Sequence, residues 1–471
     1  MKNYLELIEE YKEDMIRDLS DIIAIPSVVN EEENSSYPFG DNVQKAFEKM
    51  LEIAQRDGFE VKNVDNYGGH IEWKGTDPEK GIFAIVGHLD VVPAGDGWDS
   101  PPFEANIRDN KLYGRGSIDD KGPAMCGYYA LKALKDSGFR PAMNIRLILG
   151  LDEETAWKGM FYYMDREEKP VMGFSPDADF PVIHCEKGLM EFDIKSKLGD
   201  RTESGIKVLS IEGGNAPNMV ADKAKGVFSG KKNVLNILKE KALTLASRNS
   251  YDIDAEFEGE NLVIVAKGVS AHGAMPEKGL NAISIMMEAL IGMEFEDRGL
   301  QDFVEFYCEK IGFNYHGEKI GCNLEDEPSG KLNFNVGIIK VTPEDLSLTI
   351  NIRHPVTFDK EDVYNGIKKN TDPKGYVIEE RDYLDSLYVP KDNELVKVLM
   401  DVYSEFTGDK ESSPIVIGGA TYARTVPNSV AFGPVFPGEP AVEHQPNEYI
   451  SIPSMIKATQ IFAEAVYRLT K

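Results

Sequence analysis

Cysteine is scarce. Cys126, Cys185, Cys308 and Cys322 are the only four in 471 residues, and none forms a CxxC pair. They are too few and too scattered for a disulfide framework, and no partner motif marks one as a nucleophile. Cys126 sits among apolar residues and reads as a small buried hydrophobe. Long hydrophobic runs are lacking too. No segment approaches the roughly 18 apolar residues of a membrane helix. The acidic opening segment has helical spacing (Leu5, Ile8, Tyr11, Met15, Leu19, Ile22, Ile23) rather than the basic, apolar and small-residue pattern of a signal peptide. The expectation is a cytoplasmic protein with no membrane partner. Basic charge is short: 52 Lys and Arg against 80 Asp and Glu leave a net charge of −28. Nucleic acid and anionic lipid need clustered Lys and Arg, so neither is expected as a partner. Most of the acidic excess reads as solvated surface. Repeats and low-complexity segments are absent.

What is present is the material of a large globular protein: 42% hydrophobic and 28% charged residues, with length for two or three domains. IFAIVG at 82–87 and MNIRLILGL at 143–151 are continuous apolar runs of the kind found in strands buried on both faces, and PAMCGYYALKAL at 123–134 between them reads as a helix. From about residue 187 the pattern changes. LMEFDIKSK, NLVIVAKG, LNFNVGIIKV and LSLTINIRH alternate apolar and polar residues, as half-exposed antiparallel strands do, and NAISIMMEALIGM (281–293) is helical. From about residue 383 helices and buried strands return. The expected fold is α/β: residues 1–186 and 383–471 form a domain with a mixed, largely parallel sheet flanked by helices, interrupted by an inserted α+β domain at 187–382.

Both buried strands run into polar clusters, and in open α/β sheets ligands bind at the carboxyl ends of the strands. GHLDVVPAGDGW places His88 and Asp90 two residues apart, the spacing of an imidazole held by a carboxylate and thereby oriented as a metal ligand. YGRGSIDDKGP carries Asp119 and Asp120 before a helix, where ordinary N-capping is the plain alternative. LILGLDEET ends in Asp152, Glu153 and Glu154, whose mutual repulsion calls for cations. FSPDADFP adds Asp177 and Asp179, and GEPAVEHQPNEY adds Glu443 and His444. Two imidazoles with several carboxylates suit divalent zinc, cobalt or manganese, whereas magnesium or calcium would favour an all-oxygen set.

In that order, the five motifs GHLDVVPAGDGW, YGRGSIDDKGP, LDEET, SPDADFP and EHQPNE resemble the aminoacylase/carboxypeptidase G superfamily of co-catalytic two-metal peptidases. Within it the chain is most similar to the bacterial dipeptidase V (PepV) group. GVSAHGAMPEKGLNA, GGATYAR and the DDKGP form support that placement, and the resemblance spans essentially the whole chain. LDEET departs mildly, with Asp152 where that group often has another polar residue.

The resemblance implies a catalytic two-metal domain at 1–186 and 383–471 and a lid at 187–382. It implies two divalent ions per chain, zinc first, with manganese or cobalt as alternatives. His88 and Asp177 would hold one, Glu154 and His444 the other, and Asp119 would bridge them with a cis peptide after it. Asp90 would orient His88, and Glu153 would be the general base toward a water between the metals. From the lid, His272 would stabilise the oxyanion. Asn218 and Arg353 would contact substrate, Arg353 at its C-terminal carboxylate. Gly419 and Thr421 in GGATYAR would offer groups to the same carboxylate. His272 in a Gly/Pro-rich turn and Arg353 at a strand end have ordinary surface readings apart from the resemblance. The expected activity is a metal-dependent dipeptidase acting on short peptides with free termini. Its first rival is an N-acyl amino acid hydrolase such as a succinyl-diaminopimelate desuccinylase, disfavoured because no Arg/Lys cluster flanks His272 or Asn218. Its second is a non-catalytic metal-binding protein, disfavoured because Glu153 is retained. The insert is large enough to favour a monomer over a homodimer.

Overall fold

In the computed structural model, which describes residues 3–31, 36–202 and 204–471, the chain divides into two compact units. One comprises Met1–Cys185 with Leu387–Lys471, the other Glu186–Ser386. Among the described residues no helix is long and apolar enough to cross a membrane.

The first unit is built on a nine-stranded sheet. Its central strands are Asn144–Gly150, Ile82–His88, Met172–Ser175 and Ser429–Ala431, side by side and mutually parallel. Glu60–Val64 and Gly68–Trp73 extend one edge antiparallel, and Ile183–Glu186 and Leu387–Tyr388 extend the other. Ile82–His88 is buried at every position. Successive side chains on a strand point to opposite faces, so an unbroken buried run means that both faces are covered. The helices Lys121–Asp136 and Ile452–Thr470 pack on one another within this core, and Phe174, Phe180, Phe432 and Phe462 form a contiguous aromatic cluster in it. SVAFGPVF, one continuous apolar stretch in the sequence, is broken into Ser429–Ala431 and Pro434–Val435, with a cis Gly433–Pro434 bond between them. Cys126 is fully buried, and its thiol is pushed up to about 12 by that burial.

The second unit carries an eight-stranded antiparallel sheet, in the order 252–258, 261–267, 223–229, 207–213, 333–341, 345–354, 188–197 and 377–384. Asp252–Glu258 alternates exposed acids with buried Ile253 and Ala255, the period-two signature of a sheet with one wet face. The helices Lys232–Asn249 and Ala282–Leu290 pack on these strands. The architecture is thus mixed α/β with a parallel-centred sheet in one unit and an α+β arrangement in the other.

Candidate metal centre

Three parallel neighbours deliver the first donors. His88 ends one strand, Glu153 and Glu154 follow the end of Asn144–Gly150, and Asp177 follows Met172–Ser175. Because the strands run the same way in register, their carboxyl ends emerge on one rim. Asp119 lies just before the helix Lys121–Asp136, and the Asp119–Asp120 peptide bond is cis. Asp120 occupies the N-cap position without capping the helix by its side chain. Its Oδ2 instead accepts the His88 N–H at 2.9 Å. Gly87 permits this approach, since a Cβ there would stand 2.6 Å from Asp120 Oδ2.

Asp119 is the centre of the cluster. Its Oδ1 is 3.1 Å from His88 Nε2, and its Oδ2 is 2.9 Å from His444 Nε2. His444 Nε2 is also 3.1 Å from Glu154 Oε1, and His88 Nε2 is 3.7 Å from Asp177 Oδ2. One carboxylate divided between two imidazoles has the form of a bridging ligand. Donor atoms of His88, Glu153 and Asp177 lie within 4.8 Å of one another, as do those of His88, Asp119 and Glu154. His444 adopts a left-handed backbone, φ 60°, uncommon for a residue with a Cβ.

Orientation of His88 differs in detail from the sequence expectation. Its Nδ1 is 3.0 Å from the backbone carbonyl of Asp90, nearer than the Asp90 carboxylate at 3.3 Å. Asp90 Oδ2 accepts the Glu154 N–H at 3.0 Å, so this residue spans both sides of the cluster. Asp152, to which no role was attached, is buried. It accepts the Gly159 N–H at 3.1 Å and the Tyr422 hydroxyl at 3.3 Å.

The electrostatics fit a cation. Burial raises the Glu153 carboxyl well above its ordinary value, and the charges of Asp177, Glu154 and Asp119 add to it. Burial likewise raises Glu154. His444 is raised to about 10 by hydrogen bonds to Asp119 and Glu154. Burial opposes charge on His88, yet bonds to Asp119 and Asp90 lift it well above its ordinary value. Asp120 Oδ1 is buried with no hydrogen-bond partner among the described residues. Carboxylates that can coexist only by drawing protons onto their neighbours are a donor set for divalent metal.

His272, Asn218 and Arg353 belong to the second unit. There Met219 bridges His272 across paired backbone, and the Gly273 N–H bonds the Asn218 carbonyl at 2.7 Å. His272 is exposed overall, yet desolvation by the chain around it and then the Arg353 charge push its pKa down. Arg353 is buried at the end of the strand Asp345–His354. In the first unit the Thr421 hydroxyl accepts the Ala423 N–H, and the Gly419 carbonyl accepts from Arg424 at 2.7 Å. Tyr422, next to Thr421, meets the cluster: it is buried, with its ring edge-on to His88 at 6.3 Å.

Arg115 and Glu448 are the pair that reading the motifs passed over. Both are buried and paired at 2.5 Å, and Glu448 Oε1 accepts the backbone N–H of Ile118 and of Asp119. The available signal was two opposite charges inside motif strings otherwise accounted for by ligands.

The model of peptidase family M20/M25/M40 matches residues 84–468. The "Putative dipeptidase YtjP" of Bacillus subtilis (strain 168) is 38% identical over 467 residues, covering 98% of each chain. Among solved structures, the di-peptidase Dug1p from Saccharomyces cerevisiae covers 98% of this chain and 97% of its own at TM-score 0.58 and 15% identity. Aminoacylhistidine dipeptidase from Vibrio alginolyticus covers 97% and 96% at TM-score 0.57 and 14% identity. At those identities the two structures establish a shared fold.

Proposed function

The chain belongs to peptidase family M20/M25/M40 and is a peptidase, and on that footing we propose that it is a two-metal dipeptidase cutting the amide bond of short peptides with free termini. The observation that carries this reading is the division of the Asp119 carboxylate between His88 and His444, with Glu153 beside it. His88 and Asp177 would hold one ion, Glu154 and His444 the other, and Asp119 both, with zinc, manganese or cobalt as the metal. When bound, such ions lower the pKa of a water and polarise the scissile carbonyl.

Glu153 has the placement of a general base. Its backbone carbonyl is pinned by Trp157 Nε1 at 2.7 Å, and its raised proton affinity suits a group that takes a proton from water and returns it to the leaving amine. Asp90 orients His88 through its carbonyl and fixes Glu154 through its carboxylate. The motifs assign His272 to the oxyanion, Asn218 to substrate and Arg353 to the terminal carboxylate. Gly419 and Thr421 receive a lesser role there, since both already serve their own loop. The length limit is proposed from these assignments, together with the dipeptidase name of the 38% identical relative. Four free cysteines suit a reducing cytoplasm, and a monomer is the proposed working form.

The test is a substrate panel run across metals. Turnover of Ala-Ala-type dipeptides, abolished by chelator and restored by Mn²⁺, Co²⁺ or Zn²⁺, is expected. Rapid hydrolysis of N-succinyl or N-acetyl amino acids with no dipeptide turnover would replace the reading with an acyl-amino-acid hydrolase.

A further inference from the structure

The loop that carries His444 is fastened to two others by groups that are not metal donors. Glu448, four residues on, is fully buried, and its carboxylate is shared between two tasks. Oε2 takes the Arg115 guanidinium at 2.5 Å, and Oε1 accepts the N–H of Ile118 at 3.0 Å and of Asp119 at 3.3 Å. The Glu448 carbonyl accepts the Gly114 N–H at 3.0 Å. Arg115, 1% exposed, reaches with its other nitrogen to the carbonyls of Pro93 and Ala94 at 3.4 and 3.3 Å. Asn447 closes the ring: its Oδ1 accepts the Asp99 N–H at 2.9 Å, and its Nδ2 donates to Asp99 Oδ2 at 3.1 Å. Three loops, 93–99, 114–119 and 444–448, are thereby locked around one buried ion pair.

We propose that Glu448, clamped by Arg115, is a positioning residue that sets the Asp119 carboxylate and the His444 loop together so that the ion between Asp119, Glu154 and His444 can be held. The reasoning is geometric. Asp119 serves both imidazoles, so a small rotation of its backbone moves one oxygen off each. Two N–H bonds from consecutive residues to one carboxylate oxygen restrain that rotation. His444 and Asn447 both have φ of 60°, a conformation that side chains leave unless contacts hold them. Glu448 supplies such contacts four residues along the same loop from His444. His88 and Asp177 depend on strand ends instead, so the other ion should be less affected.

This rests on the two-metal reading, and the experiment separates the two. Metal-free full-length protein is titrated with Co²⁺, following heat and visible absorption, for the wild type, Glu448→Asp and Glu448→Gln. Aspartate keeps the charge but falls one methylene short of serving Arg115 and both N–H groups. Glutamine keeps the length and an oxygen for the two N–H groups, but it removes the charge and turns an amide N–H toward Arg115. The expected result is a second ion bound about 10- to 100-fold more weakly by both variants, with the first ion unmoved. Two ions at wild-type affinity in either variant would overturn the proposal. So would equal weakening of both ions in step with a fall in melting temperature. Should Glu448→Asp not fold, Asn447→Gly is read in its place with the same expectation and the same overturning result; it cuts the Asp99 tether while tolerating the backbone. A wild type that binds fewer than two ions defeats the two-metal reading instead.

Discussion

Replacing Gly150 by alanine tests how strictly the rim is packed. Gly150 closes the strand that leads into Asp152, Glu153 and Glu154. A Cβ built there would stand 2.1 Å from Tyr422 Cε2, 2.7 Å from Cζ and 2.8 Å from the hydroxyl oxygen. Ordinary contact begins near 3.4 Å, so the ring must retreat by more than an ångström. It has little room: Tyr422 is 1% exposed, packs on Trp157 at 5.1 Å between centroids and stands edge-on to His88. Overpacking of this kind costs about 1–3 kcal/mol. Losing the Tyr422–Asp152 bond would add about 1 kcal/mol. For a unit of this size each kcal/mol lowers the melting temperature by about 2–4 °C, so a drop of several degrees is expected. Because Tyr422 flanks His88 and anchors Asp152 next to Glu153, turnover should fall more than stability suggests; a misplacement of about 1 Å can cost about 10²-fold. The assay is calorimetric melting with kcat and KM on a dipeptide. The internal control is the same substitution in a Tyr422→Ala background, where the ring is gone and Gly150→Ala should cost little more. Wild-type melting and turnover in Gly150→Ala, or an undiminished cost in the Tyr422→Ala background, would refute the argument.

Two more outcomes follow from groups already described. Glu153→Gln should lower kcat by about 10²–10⁴-fold while metal content stays at the wild-type level, measured by elemental analysis beside steady-state kinetics; an active Glu153→Gln enzyme rules out the proposed base. His70 predicts an acid-sensitive limb in stability. It is buried, bonded to the Tyr163 hydroxyl at 2.8 Å, and lowered to about 3 by desolvation and then by the Arg146 and Lys62 charges. Below its unfolded value near 6.5 the unfolded chain binds a proton that the folded chain refuses, so stability should fall as pH drops from about 6.5 toward 3, by at most about 1.4 kcal/mol per unit. His70→Phe should flatten that limb in denaturant titrations at stepped pH, and an unchanged slope would discount His70.

How much of this was legible depended on whether a residue's company is local in sequence. The strand Ile82–His88 announces itself by an unbroken apolar run, and the acids at 152–154 by their abruptness after another. The alternating strands of the second unit are equally plain, because period-two alternation is written directly into LMEFDIKSK and LSLTINIRH. Residues whose role comes from distant chain were opaque. Nothing near Glu448 says that its carboxylate will meet the N–H groups of Ile118 and Asp119, and nothing near Tyr422 says that Gly150 leaves space for its ring. Asp90 was legible as a partner of His88, but not the exchange by which its carbonyl takes the imidazole and its carboxylate takes Glu154. That choice is made by the turn after the strand, which spacing alone does not encode. SVAFGPVF reads as one strand because apolarity does not register the break made at Gly433–Pro434.

The discontinuity of the first unit carries a kinetic consequence. Its strand Ser429–Ala431 lies in the sheet between Met172–Ser175 and Ile183–Glu186, so residue 173 waits for residue 429 before the two can pair. During synthesis an entire second unit must emerge while the edge of Met172–Ser175 stays unsatisfied, and His444 arrives later still. Pairing across so long a loop is slow, and an open apolar strand edge invites association with other chains. The proposed donor set is therefore completed last, which would make ion capture a report that residue 444 has found its place.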